Sequence, residues 1–190
     1  MTQSINEQHY SRALLTDLVD RKLVPDQIKE IQSAEKDPDR FDQYLSILQQ
    51  RVAWPEQILL PIHEHLFIVA KDGKAITKAA CGYEFGDWRV NYKVLCRVRV
   101  RRTEQALSEI YEPGFAIDPS LVDLREFICP GCGSMLEVDA VPLHYPVERD
   151  FFPDLAAFYA DWLGRPLPVD PGEYEDQTPA LLQSWASPAV

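Results

Sequence analysis

No apolar run in this 190-residue chain approaches the ~20 residues that a bilayer-spanning helix needs. The first ten residues, MTQSINEQHY, lack a basic stretch followed by an apolar one, so no secretory signal is expected and the expected location is cytoplasmic. Basic residues are also in deficit. Nineteen lysines and arginines face thirty acidic side chains, for a formal net charge of −11. A chain this acidic is repelled by phosphate polyanions, which counts against nucleic acid and anionic membranes as partners. The sequence contains no GxxxxGKS/T loop, no GxGxxG, no HExxH and no GxSxG, so it offers no nucleotide cradle, zinc-protease helix or nucleophile elbow. Its acidic residues are scattered, and no nucleophile–base pair stands out. The chain itself is expected to carry no catalytic residue.

Cysteine is scarce, with only Cys81, Cys96, Cys129 and Cys132. Without a secretory signal, and with Cys129 and Cys132 three apart, these read as metal ligands or free thiols rather than disulfides. At 46% apolar and 26% charged the composition is that of a globular protein, and the length suits about one domain with an appendage.

The expected fold class is α+β, in three regions. Residues 1–54 read as helical. Leu14, Leu15, Leu18 and Val19 share one face, Ile28 and Ile31 follow Pro25, and Asp37-Pro38 reads as a cap leading into Phe41, Tyr44, Leu45, Leu48 and Val52. That last helix should stop near Trp54-Pro55. Residues 55–150 switch to period two: Ile58–Leu60 and Leu66–Val69 as short strands, Asp72-Gly73 as a turn, and a strand from Tyr92 to Arg101. In that strand Val94, Cys96, Val98 and Val100 alternate with Lys93, Leu95, Arg97, Arg99 and Arg101. A short helix with Leu107, Ile110 and Tyr111 should follow it. Residues 151–190 read as a helix carrying Leu155, Phe158, Tyr159, Trp162 and Leu163, with Gly164 as its cap. A proline-rich extended tail comes next, with one turn near Leu181–Trp185.

The sharpest local signal is Cys129-Pro130-Gly131-Cys132-Gly133, a knuckle that presents two thiolates. Zinc takes four ligands in a tetrahedron, and the matching second knuckle, Cys81-Gly82, supplies a third sulfur. The expected metal ligands are therefore Cys81, Cys129 and Cys132, in a zinc-ribbon-like segment that is either complete or degenerate. His63, His65, His144, Asp87, Cys96 or a water could provide a fourth donor. His63 and His65 also read as surface histidines beside a sheet, and Cys96 as core packing. The arginines 97, 99, 101 and 102 read as a solvated strand face or a subunit contact. The aromatics Tyr145, Phe151, Phe152, Phe158, Tyr159 and Trp162 read as core or interface.

A series of ordered blocks carries a family resemblance. They are Asp37–Phe41 to Ile47–Gln49, Ile58–Pro61, Leu66–Val69, and Cys81-Gly82 with Phe85, Asp87-Trp88, Asn91 and Lys93. Arg125–Phe127, Cys129–Gly133, Tyr145–Val147, Asp150-Phe151 and Phe158-Tyr159 to Trp162–Gly164 complete the set. Over roughly residues 10–168 the chain resembles the small (gamma) subunit of acetone carboxylase and its relatives, including the acetophenone carboxylase small subunit. The resemblance implies a hetero-oligomeric ligase that carboxylates a ketone with bicarbonate at the expense of ATP. It implies large, hydantoinase-like partner subunits that hold nucleotide, metal ions and substrate, and a zinc-ribbon-like small subunit seated against them. Where the family carries further ligands around the first knuckle, this chain has Ala79, Tyr83 and Gly86, a departure that leans toward the acetophenone type. Two other classes stay open on the residues alone. One is a freestanding zinc-ribbon binding module; the other is a small metalloenzyme with an open zinc position.

Overall fold

The computed structural model describes residues 10–35 and 37–186. Two compact units divide the chain, Met1–Ala53 and Trp54–Val190.

In the first unit, three helices form around Tyr10, Leu15, Ile31 and Ile47. Helix α1 (Arg12–Val19) starts at Ser11, whose hydroxyl accepts from the Leu14 amide at 3.2 Å. Helix α2 (Pro25–Ser33) opens with proline at its first position, where no amide is needed. Helix α3 (Arg40–Gln49) starts two residues later than Asp37-Pro38 predicts, with Asp39 as its cap. The buried Asp37 carboxylate accepts the Tyr10 amide at 2.7 Å with one oxygen and the Asp39 amide at 3.3 Å with the other, tying the start of the first helix to the start of the third. α3 also ends before Trp54-Pro55, although Leu45, Ile47 and Leu48 are buried as an apolar face should be.

The second unit opens with an antiparallel four-stranded meander, β1 (Ile58–His63), β2 (Leu66–Lys71), β3 (Lys74–Ala79) and β4 (Glu84–Asp87), in that order across the sheet. The β2–β3 connection is Asp72-Gly73, both at positive φ (50° and 77°), the two-residue turn whose twist suits a hairpin. Pro61 is tolerated because β1 is an edge strand. One face of this sheet packs Leu59, Ile68, Ala75 and Trp88 against Leu155 and Tyr159. Leu155 lies in α5 (Leu155–Ala157), capped by Asp154. The helix widens into a π turn over Phe158–Trp162, and Gly164 follows in the left-handed region that ends it. The Tyr159 hydroxyl donates to the Leu59 carbonyl at 2.9 Å, satisfying a phenol buried at the sheet face. The aromatic group of the sequence divides here. Phe152 and Phe158 pack with Tyr159 against this core, while Tyr145, Phe151 and Trp162 are exposed.

A second antiparallel sheet follows, β5 (Arg97–Arg101), β6 (Val122–Ile128) and β7 (Met135–Pro142). The strand expected from Tyr92 starts only at Arg97. Tyr92–Leu95 form a 3₁₀ turn instead, because the Asn91 side chain accepts the Lys93 amide at 3.0 Å and caps it. The burial of β5 also departs from the simple reading: Val98 and Val100 are exposed along with Arg97 and Arg99, and Arg101 is the one buried residue of the strand. Arg101 is buried because its guanidinium is fully engaged, with Glu126 at 2.9 Å, Glu109 at 2.8 Å and the Ala106 carbonyl at 2.6 Å. Arg99 pairs with Glu109, and Arg102 forks onto the fully buried Asp123. The arginine stripe thus remains a solvated face at Arg97, Arg99 and Arg102, with ion pairs at Arg99 and Arg102, while Arg101 is drawn inside. Helix α4 (Glu104–Leu107), capped by Thr103, buries Leu107 under it.

The stretch after Gly164 is extended as far as Gln177, and it is docked. Leu167 and Val169 join the first core, Asp170 pairs with Lys74 as a parallel bridge, and Trp88 Nε1 donates to the Pro171 carbonyl at 2.8 Å. Tyr174 stacks on Phe152 with centroids 4.7 Å apart. Where a single turn is expected, a nine-residue helix, α6 (Thr178–Ala186), forms. Asn91 donates its amide to the Thr178 hydroxyl, and the Arg149 guanidinium reaches the Arg89 carbonyl and Asp176. Among the described residues no helix is long and apolar enough to cross a membrane.

Candidate metal centre

A second core cluster joins the two sheets: Leu66, Ala79, Phe85, Tyr92, Cys129 and Leu136. At its edge two loops meet. The first, between β3 and β4, carries Cys81. It closes through Gly82 N to Ala79 O and Ala79 N to Tyr83 O, both 2.8 Å, with Gly82 at φ +95°. Trp54 braces it by donating Nε1 to the Ala80 carbonyl at 3.1 Å. The second loop, between β6 and β7, carries Cys129 and Cys132. It closes through Cys129 N to Ser134 O at 2.8 Å and Gly133 N to Cys129 O at 3.0 Å.

The contact between the loops sets their spacing. A Cβ on Gly131 would lie 2.8 Å from Tyr83 Cβ, so only glycine lets the second loop close onto the first. That approach brings together the three expected sulfurs, all within 4.8 Å of one another. Cys81 Sγ and Cys129 Sγ stand 3.8 Å apart. Sulfurs bonded at about 2.3 Å to a tetrahedral zinc stand about 3.8 Å apart, so this pair fits a shared metal ion without rearrangement. All four cysteines are free thiols.

The three sulfurs differ in environment. Cys129 is fully buried, while Cys81 and Cys132 are exposed. Burial of the group pushes the Cys81 thiol up to about 11. The Ser134 hydroxyl and amide beside Cys132 pull its thiol down to about 7, so it is a readier thiolate than Cys81. A soft, three-sulfur donor set of this kind suits zinc and other thiophilic ions.

Among the described residues His63, His65, His144, Asp87 and Cys96 stand outside this cluster. His63 packs its ring beside Tyr92, 5.9 Å between centroids, and burial lowers its pKa to about 4. Asp87 is taken by Arg89, which donates to it from Nε at 3.1 Å and from Nη2 at 2.7 Å. The Cys96 thiol donates to the Tyr92 carbonyl at 3.4 Å. Sequence reasoning missed three residues that shape the site: Trp54, Tyr83 and Ser134. Only Ser134 had a local signal, as the polar residue just after the knuckle.

Comparison with known proteins shows what this sequence is similar to. The family model described as "Acetone carboxylase gamma subunit" matches residues 52–163, a stretch that contains both knuckles. The acetone carboxylase gamma subunit of Xanthobacter autotrophicus is 44% identical over 161 residues, covering 84% of this chain and 96% of that protein. The acetophenone carboxylase beta subunit of Aromatoleum aromaticum is 32% identical over 82 residues, covering 42% of this chain and 64% of that protein. The chain belongs to the acetone carboxylase gamma subunit family.

Proposed function

We propose that this chain is a non-catalytic, structural subunit of an ATP-dependent ketone carboxylase, a ligase that joins bicarbonate to a ketone of the acetone or acetophenone type to give a β-keto acid. The observation that carries this reading is the 44% identity to a gamma subunit over 96% of that subunit's length. Identity is higher and broader to the acetone enzyme than to the acetophenone enzyme, against the lean of the first knuckle. In this reading the partners are large, hydantoinase-like subunits that hold ATP, metal ions and ketone, and the assembly is cytoplasmic. The small subunit clamps those subunits and helps shape the space between their active sites.

The same reading makes Cys81, Cys129 and Cys132 zinc ligands. Bound there, zinc supplies a cross-link between the two loops rather than a reaction step, because structural zinc contributes directly to folding free energy. The chain's own residues prepare that link: Gly131 admits close approach, Trp54 holds the first loop, and Ser134 favours the Cys132 thiolate.

The test is native mass spectrometry of the tagged chain purified from its source organism, with metal analysis of the same sample. Two or more large chains co-purifying in fixed ratio are expected. A lone monomer or homodimer would overturn the subunit reading and leave a freestanding module. Large subunits that assemble and turn over normally without this chain would refute the clamping role.

A further inference from the structure

We infer that Cys96 is the fourth sulfur ligand of this centre, turning from the Tyr92 carbonyl to join Cys81, Cys129 and Cys132 when the metal binds. The inference rests on the metal reading of the three-cysteine cluster and goes beyond it by closing the coordination shell within this chain.

Strand register carries the argument. β5 and β6 run antiparallel, with Arg97 opposite Ile128 and Val98 opposite Phe127. Continued by one residue beyond the strand, that register sets Cys96 opposite Cys129. Side chains alternate along a strand, so both cysteines lie on the face that carries Val98 and Phe127. The backbone at Cys96 is already extended (φ −74°, ψ 159°), which carries the alternation through it. Directly opposed residues on paired strands hold their Cβ atoms about 4.5–5.5 Å apart, within reach of a shared ion. Cys96 also packs against the core cluster that contains Cys129, so it stands beside the buried member of the triad.

The present position of its sulfur is weakly held. Cys96 Sγ makes one bond, 3.4 Å, to the Tyr92 carbonyl, and a thiol is a weak donor. A cysteine side chain has three staggered wells about χ1, so one rotation re-aims the sulfur without moving the backbone. Structural zinc sites are closed by four protein ligands, and three sulfurs leave one vertex unfilled. In forming the fourth bond, Cys96 gives up its thiol proton to solvent and donates the freed sulfur pair to the zinc ion.

Zinc-edge X-ray absorption on the full chain loaded with zinc tests this without a variant. Four sulfurs are expected in the first shell. In Cys96→Ser one sulfur should give way to one oxygen or nitrogen, and zinc affinity by chelator competition should fall roughly tenfold or more. Cys96→Val, which keeps the packing volume, should lose affinity by as much while keeping the far-ultraviolet circular dichroism of the parent. A parent spectrum of three sulfurs plus one light donor, unchanged in Cys96→Ser, would overturn the inference and leave the three-cysteine centre standing. A parent chain that takes up no zinc would overturn both.

Discussion

Gly131→Ala isolates the contact that brings the two knuckles together. The new methyl would sit 2.8 Å from Tyr83 Cβ and 3.1–3.2 Å from the first ring atoms. A Cβ is fixed to the backbone, so the overlap cannot be relieved by turning a flexible side chain. One loop must move, and overpacking of this kind costs about 1–3 kcal/mol. The displaced loop carries Cys129 and Cys132 away from Cys81, so metal affinity should drop as well, about tenfold for each 1.4 kcal/mol. A mutant cycle separates this clash from a generic helix or turn effect. Tyr83→Ala removes the ring but keeps the Cβ, so Gly131→Ala should cost nearly as much in that background. Tyr83→Gly removes the offending atom, and there Gly131→Ala should cost less than about 0.5 kcal/mol. Urea unfolding of the metal-free proteins gives the stability terms, and chelator competition gives the affinities. Equal costs in the Tyr83→Ala and Tyr83→Gly backgrounds would refute the reasoning.

Other outcomes follow from the same geometry. Cys132→Ala should abolish stoichiometric zinc binding and lower the thermal midpoint of the zinc-loaded chain, as read by metal analysis and calorimetry; an unchanged midpoint would mark the knuckle as a fold element that works without metal. His63 has a folded-state pKa of about 4 against an ordinary 6.5 because burial disfavours its charged form. Between those values the unfolded chain binds a proton that the folded chain does not, so stability should fall as pH drops through that window. His63→Phe should flatten the pH dependence measured by urea unfolding, and an identical pH slope in the variant would sink that assignment. Arg149 reaches Arg89, Asp176 and Thr178 and lies 4.2 Å over Phe152. Arg149→Met should therefore destabilise docking of residues 171–186 by about 1–3 kcal/mol, seen as faster amide exchange in α6 with little change in β2 and β3.

Local chemistry made part of this fold legible. The Asp72-Gly73 turn needs two positive φ values in sequence, and few dipeptides supply them, so the hairpin could be placed from two residues. The face of α1 and the apolar positions of α3 repeat at helical spacing, and Leu15, Ile47 and Leu48 are buried accordingly. What was not legible depends on partners far along the chain. Asp37 looked like the cap of a helix starting at Pro38, but one of its carboxylate oxygens is claimed by an amide 27 residues earlier and the helix starts at Arg40. Arg101 looked like a solvent-facing residue and Val100 like core. Glu109 and Glu126 reverse that order by satisfying the guanidinium from both sides, and nothing in residues 97–101 announces those acids. The docking of the tail was not visible because its anchors, Trp88, Arg89, Asn91 and Arg149, lie 27 to 87 residues upstream of their partners.

The candidate metal centre shows the same division within a single site. Cys129 and Cys132 are a local pair, and their spacing with the following glycine identifies a knuckle from five residues. Cys81 is a different kind of inference. It lies 48 residues away, and the sequence offers only the repeated Cys-Gly as a hint. What seats its sulfur 3.8 Å from Cys129 is the packing of two sheets through Leu66, Phe85, Tyr92 and Leu136, together with the missing side chain at Gly131. Cys96 is further hidden, because its place beside Cys129 follows only from the register of β5 on β6, fixed by Arg97 opposite Ile128. A slip of one residue in that ladder would turn Cys96 to the opposite face. In the proposed four-sulfur site the ligand set is a property of sheet register as much as of the cysteines, and a substitution that shifts β5 without touching a thiol should lower zinc affinity as removing a ligand would.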